Sequence, residues 1–449
     1  MKRGDTITCR VEHLSDQSDG VALVDGRQIA IRGAVPGDRA RVQLGRKRKG
    51  RFDGHLLQIM EPGVRRIEPR CAHFGLCGGC RWQNLDYRDQ LCLKNTMILS
   101  ALSDAELTFA DPDDIVPCDE IFHYRNKMEF SFASGQNGEL MVGLHLRGRY
   151  NRVFDVEACC LQSDLSNRIV DAVRRHATLL QLPPYDLRMH TGLLRFLVIR
   201  QSRFTGEIMV NLVVAQYPHA GVLDLAREVI AQVPEISTWV VTLHQGKAQV
   251  ALGQAEFVLH GSGMIVDGCN GVLYEISPRS FMQTNTRQAE RLYRLVASMA
   301  RDMGAARILD LYCGAGGISL QLAADAEGIC GVESVEDAVG DARRNAVRNG
   351  ISNCSFIAGT VESSLPELNG RGFDLVVVDP PRAGLHPKVK ETLLDMQVPH
   401  VLYVSCNPRT MAADVAELTS TVYALRTMIP VDLFPHTPHC ETIGLLQRC

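Results

Sequence analysis

A strand, a glycine-rich turn, a helix and a second strand follow one another in the last third of the chain, and this order constrains the fold most. Arg307–Tyr312 is predicted to be a strand, and Cys313–Gly317 places three glycines in a turn before the helix. The second strand, Gly328–Val332, ends in Glu333. The glycines allow a ligand to approach the backbone closely, and a carboxylate at that strand end can accept hydrogen bonds from ribose hydroxyls. The pattern predicts a Rossmann-like α/β domain, and its spacing fits NAD and S-adenosylmethionine equally.

Two further apolar strands end in polar residues. Phe373–Val378 is followed by Asp379 and two prolines, and Val401–Val404 is followed by Ser-Cys-Asn-Pro, which contains Cys406. Because proline cannot continue a ladder, Asp379 and Cys406 are expected at the carboxyl ends of central strands, where open α/β sheets bind ligands. A free thiol is usually a small buried hydrophobe, but this position favours a nucleophile.

A loop rich in titratable groups, Val431–Thr442, precedes the last predicted strand. It contains Glu441, 35 residues after Cys406. A carboxylate on a surface loop is usually only solvated, but beside a strand-end thiol it becomes a candidate general base.

The first 60 residues show short strand patterns separated by turn signals such as Asp25-Gly26, which predicts a small β-barrel. The segment Arg46–Arg51 then holds five cations in six positions. Residues 1–70 carry a net charge of +6 and the remainder −9, so a basic front precedes an acidic body. The segment is either a solvated hairpin tip or a phosphate contact of a barrel that binds RNA. This region resembles the TRAM domain, an RNA-binding barrel.

Three cysteines, Cys71, Cys77 and Cys80, lie within ten residues and are separated by glycines. Such a segment can wrap around one metal centre, with Cys159 or Cys160 as the fourth ligand. Zinc would also accept four thiolates. The two-pair spacing of a zinc ribbon is absent, which favours an iron–sulfur cluster.

The middle of the chain predicts an α+β domain. Strand patterns from Tyr124 onward surround two amphipathic helices, Asp164–Leu180 and Ala220–Gln232. Residues 83–117 are predicted to be helical, with the helix ending near Asp111-Pro112-Asp113-Asp114. A strongly periodic helix, Arg287–Met303, follows a cap at Thr284 or Asn285.

A thiol, a site for a methyl donor and a base together fit one reaction class. Carbon 5 of uracil is a poor nucleophile until a thiolate adds at carbon 6, and a base must later remove the carbon 5 proton. Cys406, the cofactor site between Gly314 and Glu333, and Glu441 supply these three requirements. Where enzymes that methylate exocyclic amines carry an aromatic residue after Asp-Pro-Pro, this chain has Arg382, which argues against N-methylation.

Four motifs resemble those of the RNA uracil-5-methyltransferase family, and the resemblance covers essentially the whole chain. They are Ser405-Cys406-Asn407-Pro408, Asp379-Pro380-Pro381-Arg382, Phe281-Met282-Gln283-Thr284-Asn285, and Phe434-Pro435-His436-Thr437 with Glu441.

The resemblance implies a role for each matching residue. Cys406 would be the nucleophile and Glu441 the base. The contacts to S-adenosyl-L-methionine would be Gln283, Tyr312, Gly314, Glu333 and Asp379. The ligands of a [4Fe–4S] cluster would be Cys71, Cys77, Cys80 and Cys159, with Cys160 the alternative to Cys159. Several relatives have Asn where this chain has Gly317, so one side-chain contact to the cofactor is missing.

Pattern and resemblance together predict a multidomain protein. Residues 1–60 would form the TRAM/OB-like β-barrel, and 61–82 with 118–268 the central α+β domain that carries the iron–sulfur cluster. Residues 83–117 with 269–449 would form the C-terminal α/β Rossmann-like methyltransferase domain. RNA is the expected partner, 23S rRNA before tRNA, and no obligatory protein partner is indicated.

The N-terminus lacks the apolar core of a signal peptide, and no apolar run is long enough to span a membrane. We therefore expect a cytoplasmic protein without a membrane partner. Three rival hypotheses remain: an NAD-dependent oxidoreductase, a cytosine-5 methyltransferase, and an iron–sulfur RNA-binding protein with an inactive methyltransferase domain.

Overall fold

The computed structural model describes residues 1–15, 17–48, 50–107 and 112–449. Lys49 of the cationic segment and residues 108–111 of the predicted helix 83–117 lie outside this part. The chain forms two compact units. Unit 1 comprises Met1–Gly75, Gly79–Ser100 and Phe434–His439, and unit 2 comprises Leu76–Gly78, Ala101–Leu433 and Cys440–Cys449. None of the helices in the described ranges is long and apolar enough to cross a membrane.

Unit 1 is built on a six-stranded sheet with the spatial order β1-β5-β6-β4-β3-β2. Its strands are β1 Thr6–Arg10, β2 His13–Leu14, β3 Gly20–Val24, β4 Arg27–Ile31, β5 Arg39–Arg48 and β6 Arg51–Glu61. Alternate residues of β5 are buried, namely Ala40, Val42 and Leu44, and they share one apolar core with residues of β1, β3, β4 and β6. Immediately after β1, the Glu12 N–H donates to the Val21 carbonyl at 2.8 Å, which draws the two ends of the sheet toward each other. The predicted short strands are therefore present, and β5 and β6 carry the described cations of the segment between them.

Helix α1 of the structure, Tyr87–Asp104, is shorter than the predicted helix 83–117. The prediction was wrong at the carboxyl end, where Pro112 and Pro117 lie in an irregular segment after the undescribed residues. Within unit 1, the buried Lys94 of α1 donates through Nζ to the Phe434 carbonyl at 3.1 Å. This contact ties the segment Phe434–His439 to the helix.

Unit 2 contains a mixed seven-stranded sheet with the order β13-β12-β11-β10-β7-β8-β9. Its strands are β7 Lys127–Ser134, β8 Leu140–Leu146, β9 Arg149–Asp155, β10 Leu194–Gln201, β11 Ile208–Val214, β12 Thr238–Leu243 and β13 Ala255–His260. Helix α2, Asp164–Leu179, packs against this sheet, and helix α3, Ala220–Gln232, packs against α2. Both helices lie within a residue of their predicted bounds. All seven residues of β11 are buried, which explains its continuous apolar pattern.

A hairpin and a helix lead from this sheet to the second sheet of unit 2. The hairpin consists of β14 Ile265–Cys269 and β15 Val272–Ile276, and the helix is α4 Thr286–Asp302. The second sheet has the order β18-β17-β16-β19-β20-β22-β21. Its strands are β16 Arg307–Leu311, β17 Gly328–Glu333, β18 Cys354–Ala358, β19 Leu375–Val378, β20 His400–Ser405, β21 Tyr423–Val431 and β22 Glu441–Arg448. The helices between them are α5 Ser319–Leu322, α6 Glu336–Arg348, α7 Val361–Leu368, α8 Pro387–Met396 and α9 Pro408–Thr419.

Strands β16 to β20 of this sheet are parallel, whereas β21 and β22 run antiparallel to their neighbours. The four residues of β19 are all fully buried, as expected for a parallel strand covered on both faces. The carboxyl ends of the parallel strands therefore meet at one edge, and the predicted catalytic residues follow them there.

Candidate active site

Four of the predicted site residues lie at this common edge. Tyr312 follows β16, Glu333 ends β17, Asp379 follows β19 and Cys406 follows β20. The Asp379 N–H donates to the Leu311 carbonyl at 3.3 Å, which holds the start of the Asp-Pro-Pro segment beside the end of β16. The parallel sheet thus brings together residues that are up to 94 positions apart in sequence.

Strand β22 adds the carboxylate to this edge. It pairs with β20 in antiparallel register, with Ser405 opposite Thr442. Cys406 directly follows the last paired residue of β20 and Glu441 is the first residue of β22, so the two lie side by side at this edge. The Glu441 carboxylate adds to the rise that burial causes in the pKa of the Cys406 thiol. Glu441 is 3 % exposed, whereas Cys406 is only partly buried and remains accessible.

Burial controls the charge of the two acids in the site. Loss of solvent raises the pKa of Glu441 to about 8, a shift increased by the Asp379 carboxylate and reduced by the Arg382 guanidinium. Burial, with a further contribution from Asp310, raises the pKa of Asp379 to about 7. Glu441 can therefore gain and lose a proton near neutral pH, which suits a general base.

The thiol of Cys406 lies between opposing influences. Burial raises its pKa, and so do the carboxylates of Glu441 and Asp379. The positive charge of the nearby Arg382 guanidinium lowers the pKa of the thiol and offsets part of that rise. Asn407, the N-cap of α9, also donates through Nδ2 to the Arg382 carbonyl at 3.0 Å, which fixes the backbone of Arg382 beside the nucleophile.

The glycine turn after β16 forms the other half of the site. Gly314 and Gly316 have positive φ angles of 54° and 83°, and Tyr312 shares this left-handed conformation with φ of 67°. The Gly314 N–H donates to Glu333 Oε2 at 3.2 Å, which joins the turn to the end of β17. A methyl group placed on Gly314 would meet no atom within 4 Å, so the face of the turn is open to a ligand.

Asp310 lies under the turn and is 1 % exposed. The Ser319 hydroxyl donates to its Oδ2 at 2.5 Å, while its Oδ1 has no hydrogen-bond partner among the described residues. Burial raises the pKa of Asp310 to about 7. A ligand that carries positive charge would be favoured beside this group and Asp379.

Gln283 lies in the segment before α4 and is partly buried. It helps to line a small cavity, and its carbonyl accepts a hydrogen bond from Asn126 Nδ2 at 2.9 Å. The cap of α4 is Asn285, one of the two predicted candidates, and its side chain accepts from the Gln288 N–H at 3.3 Å. Gln283 is therefore held on the residues that begin α4.

Sequence reasoning did not assign Arg382 and Asp310 to the site. Arg382 follows the two prolines at the end of β19, and that position was the available signal for it. Asp310 lies inside β16, and nothing in the sequence distinguishes it from an acid with a structural role.

The predicted cluster cysteines are divided between the two units. Cys71 and Cys80 belong to unit 1, whereas Cys77 and Cys159 belong to unit 2. In unit 1, the buried Gln83 accepts from the Cys71 N–H at 2.7 Å and donates through Nε2 to the Cys80 sulfur at 3.6 Å. Across the described ranges, no group of three or more His, Cys, Asp or Glu side chains is placed to hold a metal ion. The iron–sulfur prediction therefore rests on the sequence.

Fold and strand-end site together define a methyltransferase. The sequence pattern of the tRNA (Uracil-5-)-methyltransferase family matches residues 87–449, and the TRAM domain pattern matches residues 1–57. An uncharacterized RNA methyltransferase of Caldanaerobacter subterraneus subsp. tengcongensis is 34 % identical over 452 aligned positions, which cover 100 % of both chains. One from Nitratidesulfovibrio vulgaris is 37 % identical, covering 99 % of this chain and 96 % of the relative.

A solved structure agrees with this assignment. The tRNA (uracil-54, C5)-methyltransferase of Pyrococcus abyssi, in complex with S-adenosyl-L-homocysteine, superimposes with a TM-score of 0.77 and 27 % identity. The alignment covers 98 % of this chain and 100 % of that one. The chain belongs to the tRNA (uracil-5-)-methyltransferase family, and it is an S-adenosylmethionine-dependent RNA methyltransferase with an N-terminal TRAM domain.

Proposed function

We propose that the protein converts a uridine of 23S rRNA to 5-methyluridine through a covalent bond between Cys406 and carbon 6 of the base. The observation that carries this proposal is the pairing of β20 with β22, which brings Cys406, just after β20, beside Glu441, the first residue of β22, at the ligand-binding edge of the sheet. A nucleophile and a base side by side are what methylation at carbon 5 requires.

The open glycine turn and its acids fit S-adenosylmethionine. Glu333 would accept hydrogen bonds from the ribose hydroxyls, and the buried Asp310 and the partly buried Asp379 favour the positive charge of the cofactor. Gln283, Tyr312 and Gly314 would complete the contacts. When bound, the cofactor supplies a methyl group on a positively charged sulfur, which is the electrophile of the reaction.

The residues of the chain account for the remaining steps. The Cys406 thiolate adds to carbon 6 of uracil, so that the electron pair of the 5,6 double bond becomes available at carbon 5 as an enolate. Arg382 stabilises the thiolate before it attacks. After methylation, Glu441 accepts the proton from carbon 5, the double bond re-forms, and Cys406 leaves as a thiolate. The target base must be turned out of its stack to expose both the edge and the face of the ring.

A second target, tRNA, is favoured by one observation. The Pyrococcus abyssi enzyme that superimposes on 98 % of this chain is a tRNA methyltransferase. The same chemistry would operate on either RNA, because selection depends on surfaces outside the strand-end site.

The decisive experiment is incubation of the anaerobically purified protein with radiolabelled S-adenosylmethionine and separate pools of ribosomal RNA and tRNA. We expect label in ribosomal RNA, recovered as 5-methyluridine. Label in tRNA alone would retain the reaction and replace the substrate. Label recovered as 5-methylcytidine would overturn the uracil assignment.

A Cys406→Ala variant is the matched control for the covalent mechanism. We expect it to bind S-adenosylmethionine as the wild type does and to transfer no methyl group, because the carbon 5 position is not activated without the thiolate. Methylation by the purified variant would rule out Cys406 as the nucleophile.

We also propose that Cys71, Cys77, Cys80 and Cys159 hold a [4Fe–4S] cluster. Support comes from the spacing of the first three thiols and from Gln83, which hydrogen-bonds the Cys80 sulfur in unit 1. No step of the methylation above uses the cluster. Iron and sulfide analysis of the anaerobic protein tests the proposal, and a content of about four of each that falls in a Cys77→Ser variant is the expected result. Zinc in place of iron, or no metal, would refute it.

A further inference from the structure

The space beside Gly317, where several relatives carry Asn, is occupied by another side chain of the protein. A methyl group added to Gly317 would lie 3.0 Å from the hydroxyl oxygen of Tyr293 and 3.5 Å from its Cζ. Tyr293 belongs to α4, which precedes β16 and its glycine turn in the chain. The end of its side chain therefore occupies the place that a side chain at position 317 would need.

The Tyr293 hydroxyl differs from the other tyrosine hydroxyl at this glycine. Tyr274 donates to the Gly317 carbonyl at 3.1 Å and accepts from Gln321 Nε2 at 3.0 Å, so its hydroxyl is fully used by the protein. Tyr293 is 6 % exposed, and within the described ranges its hydroxyl makes no hydrogen bond. Because the described residues leave this hydroxyl unused in a largely buried side chain, it is available to hydrogen-bond a ligand.

The surroundings of Tyr293 locate this hydroxyl within the candidate active site. Tyr293 and Tyr274 both line the same small cavity as Gln283, a predicted cofactor contact, but only the Tyr274 hydroxyl is already hydrogen-bonded by the described part of the protein. The carboxylates of Asp379 and Glu441 are close enough to add to the rise that burial causes in the pKa of Tyr293. The phenol therefore stays protonated and can both donate and accept a hydrogen bond.

We propose that the Tyr293 hydroxyl binds the methionine end of S-adenosylmethionine, in place of a side chain at position 317. This inference rests on the proposed cofactor site. Glu333, which accepts from the Gly314 N–H, is assigned to the ribose. The Tyr293 hydroxyl lies instead at Gly317, three residues further along the turn, where the charges of Asp379 and Glu441 act on it. The methyl group must be presented near Glu441 and Cys406, and the methionine chain is attached to the same sulfur as that methyl group. A neutral phenol suits the carboxylate and ammonium groups of that chain.

Calorimetric titration of two ligands tests the assignment. S-adenosylmethionine carries the methionine chain, whereas 5′-deoxy-5′-methylthioadenosine retains the adenosine and lacks that chain. We expect Tyr293→Phe, which removes one oxygen, to weaken S-adenosylmethionine about tenfold, the loss of one hydrogen bond to a charged group. Binding of methylthioadenosine should be unchanged. Equal weakening of both ligands, or no change in either, would overturn the proposal.

Tyr274→Phe is the matched control, since it removes a hydroxyl that contacts the same glycine from the protein side. It should affect the two ligands equally, because it alters the turn and not a ligand contact. Selective loss of S-adenosylmethionine in Tyr274→Phe would transfer the proposed role away from Tyr293.

A double-mutant cycle gives a second, independent test. Gly317→Ala places a methyl group 3.0 Å from the Tyr293 hydroxyl and should displace it, weakening S-adenosylmethionine. In the Tyr293→Phe background the same substitution should have little further effect, since the nearest atom is then Cζ at 3.5 Å. Additive effects would contradict the proposed contact. Failure of the wild type to bind S-adenosylmethionine would instead reject the proposed cofactor site itself.

Discussion

Glu441 owes its proposed role to where β22 begins. A carboxylate that is 3 % exposed and close to Asp379 holds its proton to a pKa of about 8, far above that of a solvated glutamate. Such a group is a stronger base than an ordinary surface carboxylate, and it lies beside the nucleophile.

Replacing Glu441 by Gln should separate formation of the covalent adduct from its release. Cys406 can still add to the base and the methyl group can still be transferred, but the carbon 5 proton remains. We expect turnover to fall by at least about a hundredfold while a protein–RNA band that survives denaturation accumulates on a gel. If Glu441→Gln protein incubated with RNA and cofactor migrates only as free protein, Glu441 is not the base.

The pH dependence of methylation follows from the same two groups. Glu441 must be unprotonated to act as a base and Cys406 must be a thiolate, and the pKa of each is raised. Activity should therefore be low at pH 6, rise steeply as pH increases, and begin to level only above pH 8. Single-turnover methylation measured from pH 6 to pH 9 checks this, and a flat profile between pH 6 and pH 8 would contradict it.

The rate at which iodoacetamide alkylates Cys406 reports ionisation of this thiol separately from the role of Glu441 as a base. Removing the negative charge in Glu441→Gln should move the midpoint of the pH–rate curve down, because that carboxylate raises the pKa of Cys406. Removing the cation in Arg382→Met should move the midpoint up, for the opposite reason. Quantifying the modified Cys406 peptide by mass spectrometry distinguishes this thiol from the others. Shifts of the same sign in both variants would show that charge does not control this thiol.

At the level of single residues, the sequence located those side chains that directly follow a strand. Asp379 and Cys406 could be predicted because an apolar run ends at each of them. Tyr293 could not, because in sequence it is simply a residue on the apolar face of an amphipathic helix, and only the approach of α4 to Gly317 reveals what its hydroxyl faces.

Among the elements, α4 connects the site to the rest of unit 2. Its cap, Asn285, is 1 % exposed, and its Nδ2 donates to the Leu433 carbonyl at 3.0 Å while its Oδ1 caps the helix. One side chain thus fixes both the start of α4 and the segment that leads toward Glu441.

The Asn285 side chain also donates through Nδ2 to the Cys118 sulfur at 3.6 Å, and loss of its hydrogen bonds should lower the stability of the protein. Asn285→Ala removes the cap and leaves the Leu433 carbonyl without its donor, so we expect the free energy of unfolding to fall by about 2–3 kcal/mol. Asn285→Asp keeps the capping acceptor and loses only the donor, and should cost less. Denaturant unfolding followed by circular dichroism gives both values. Equal losses in the two variants would show that the cap contributes nothing.

The elements also show which patterns in the sequence were readable. Helices α2 and α3 were predicted almost to the residue because their apolar periodicity is strong. Strand β21 was not predicted, since Pro430 interrupts its pattern; the strand exists because it lies at the sheet edge, where a missing N–H disturbs one neighbour only. The end of α1 was misplaced because the prediction ended the helix near Pro112, whereas the helix already ends at Asp104.

At the scale of the whole molecule, the positive net charge of residues 1–70 is visible as a group of exposed cations in unit 1. Arg46, Lys47 and Arg48 are exposed at the end of β5, and within the described part of the chain they form no ion pairs. Lys47 lies 5.9 Å from the centre of the Phe52 ring, which leaves its charge at the surface. Three cations without carboxylate partners are available to phosphates.

Neutralising these three cations should weaken RNA binding in a salt-dependent way. If each contacts one phosphate of a single-stranded segment, substituting all three by Ser reduces the slope of log Kd against log salt concentration by up to roughly 2. The substitutions lie in unit 1, whereas Cys406 and Glu441 lie in unit 2. Methylation at saturating RNA should therefore be retained while the half-saturating RNA concentration rises.

The appropriate control removes the same number of charges from elsewhere. Arg168, Arg227 and Arg301 are exposed, and each is paired with a carboxylate within 3.0 Å. Because those charges are already compensated, their replacement by Ser should change the salt slope less than replacement of Arg46, Lys47 and Arg48 does. Filter binding of ribosomal RNA fragments across a range of salt concentrations measures both variants. Equal slopes would mean that net charge alone attracts the RNA, whereas a loss confined to the barrel variant would identify this end of β5 as a phosphate-binding surface.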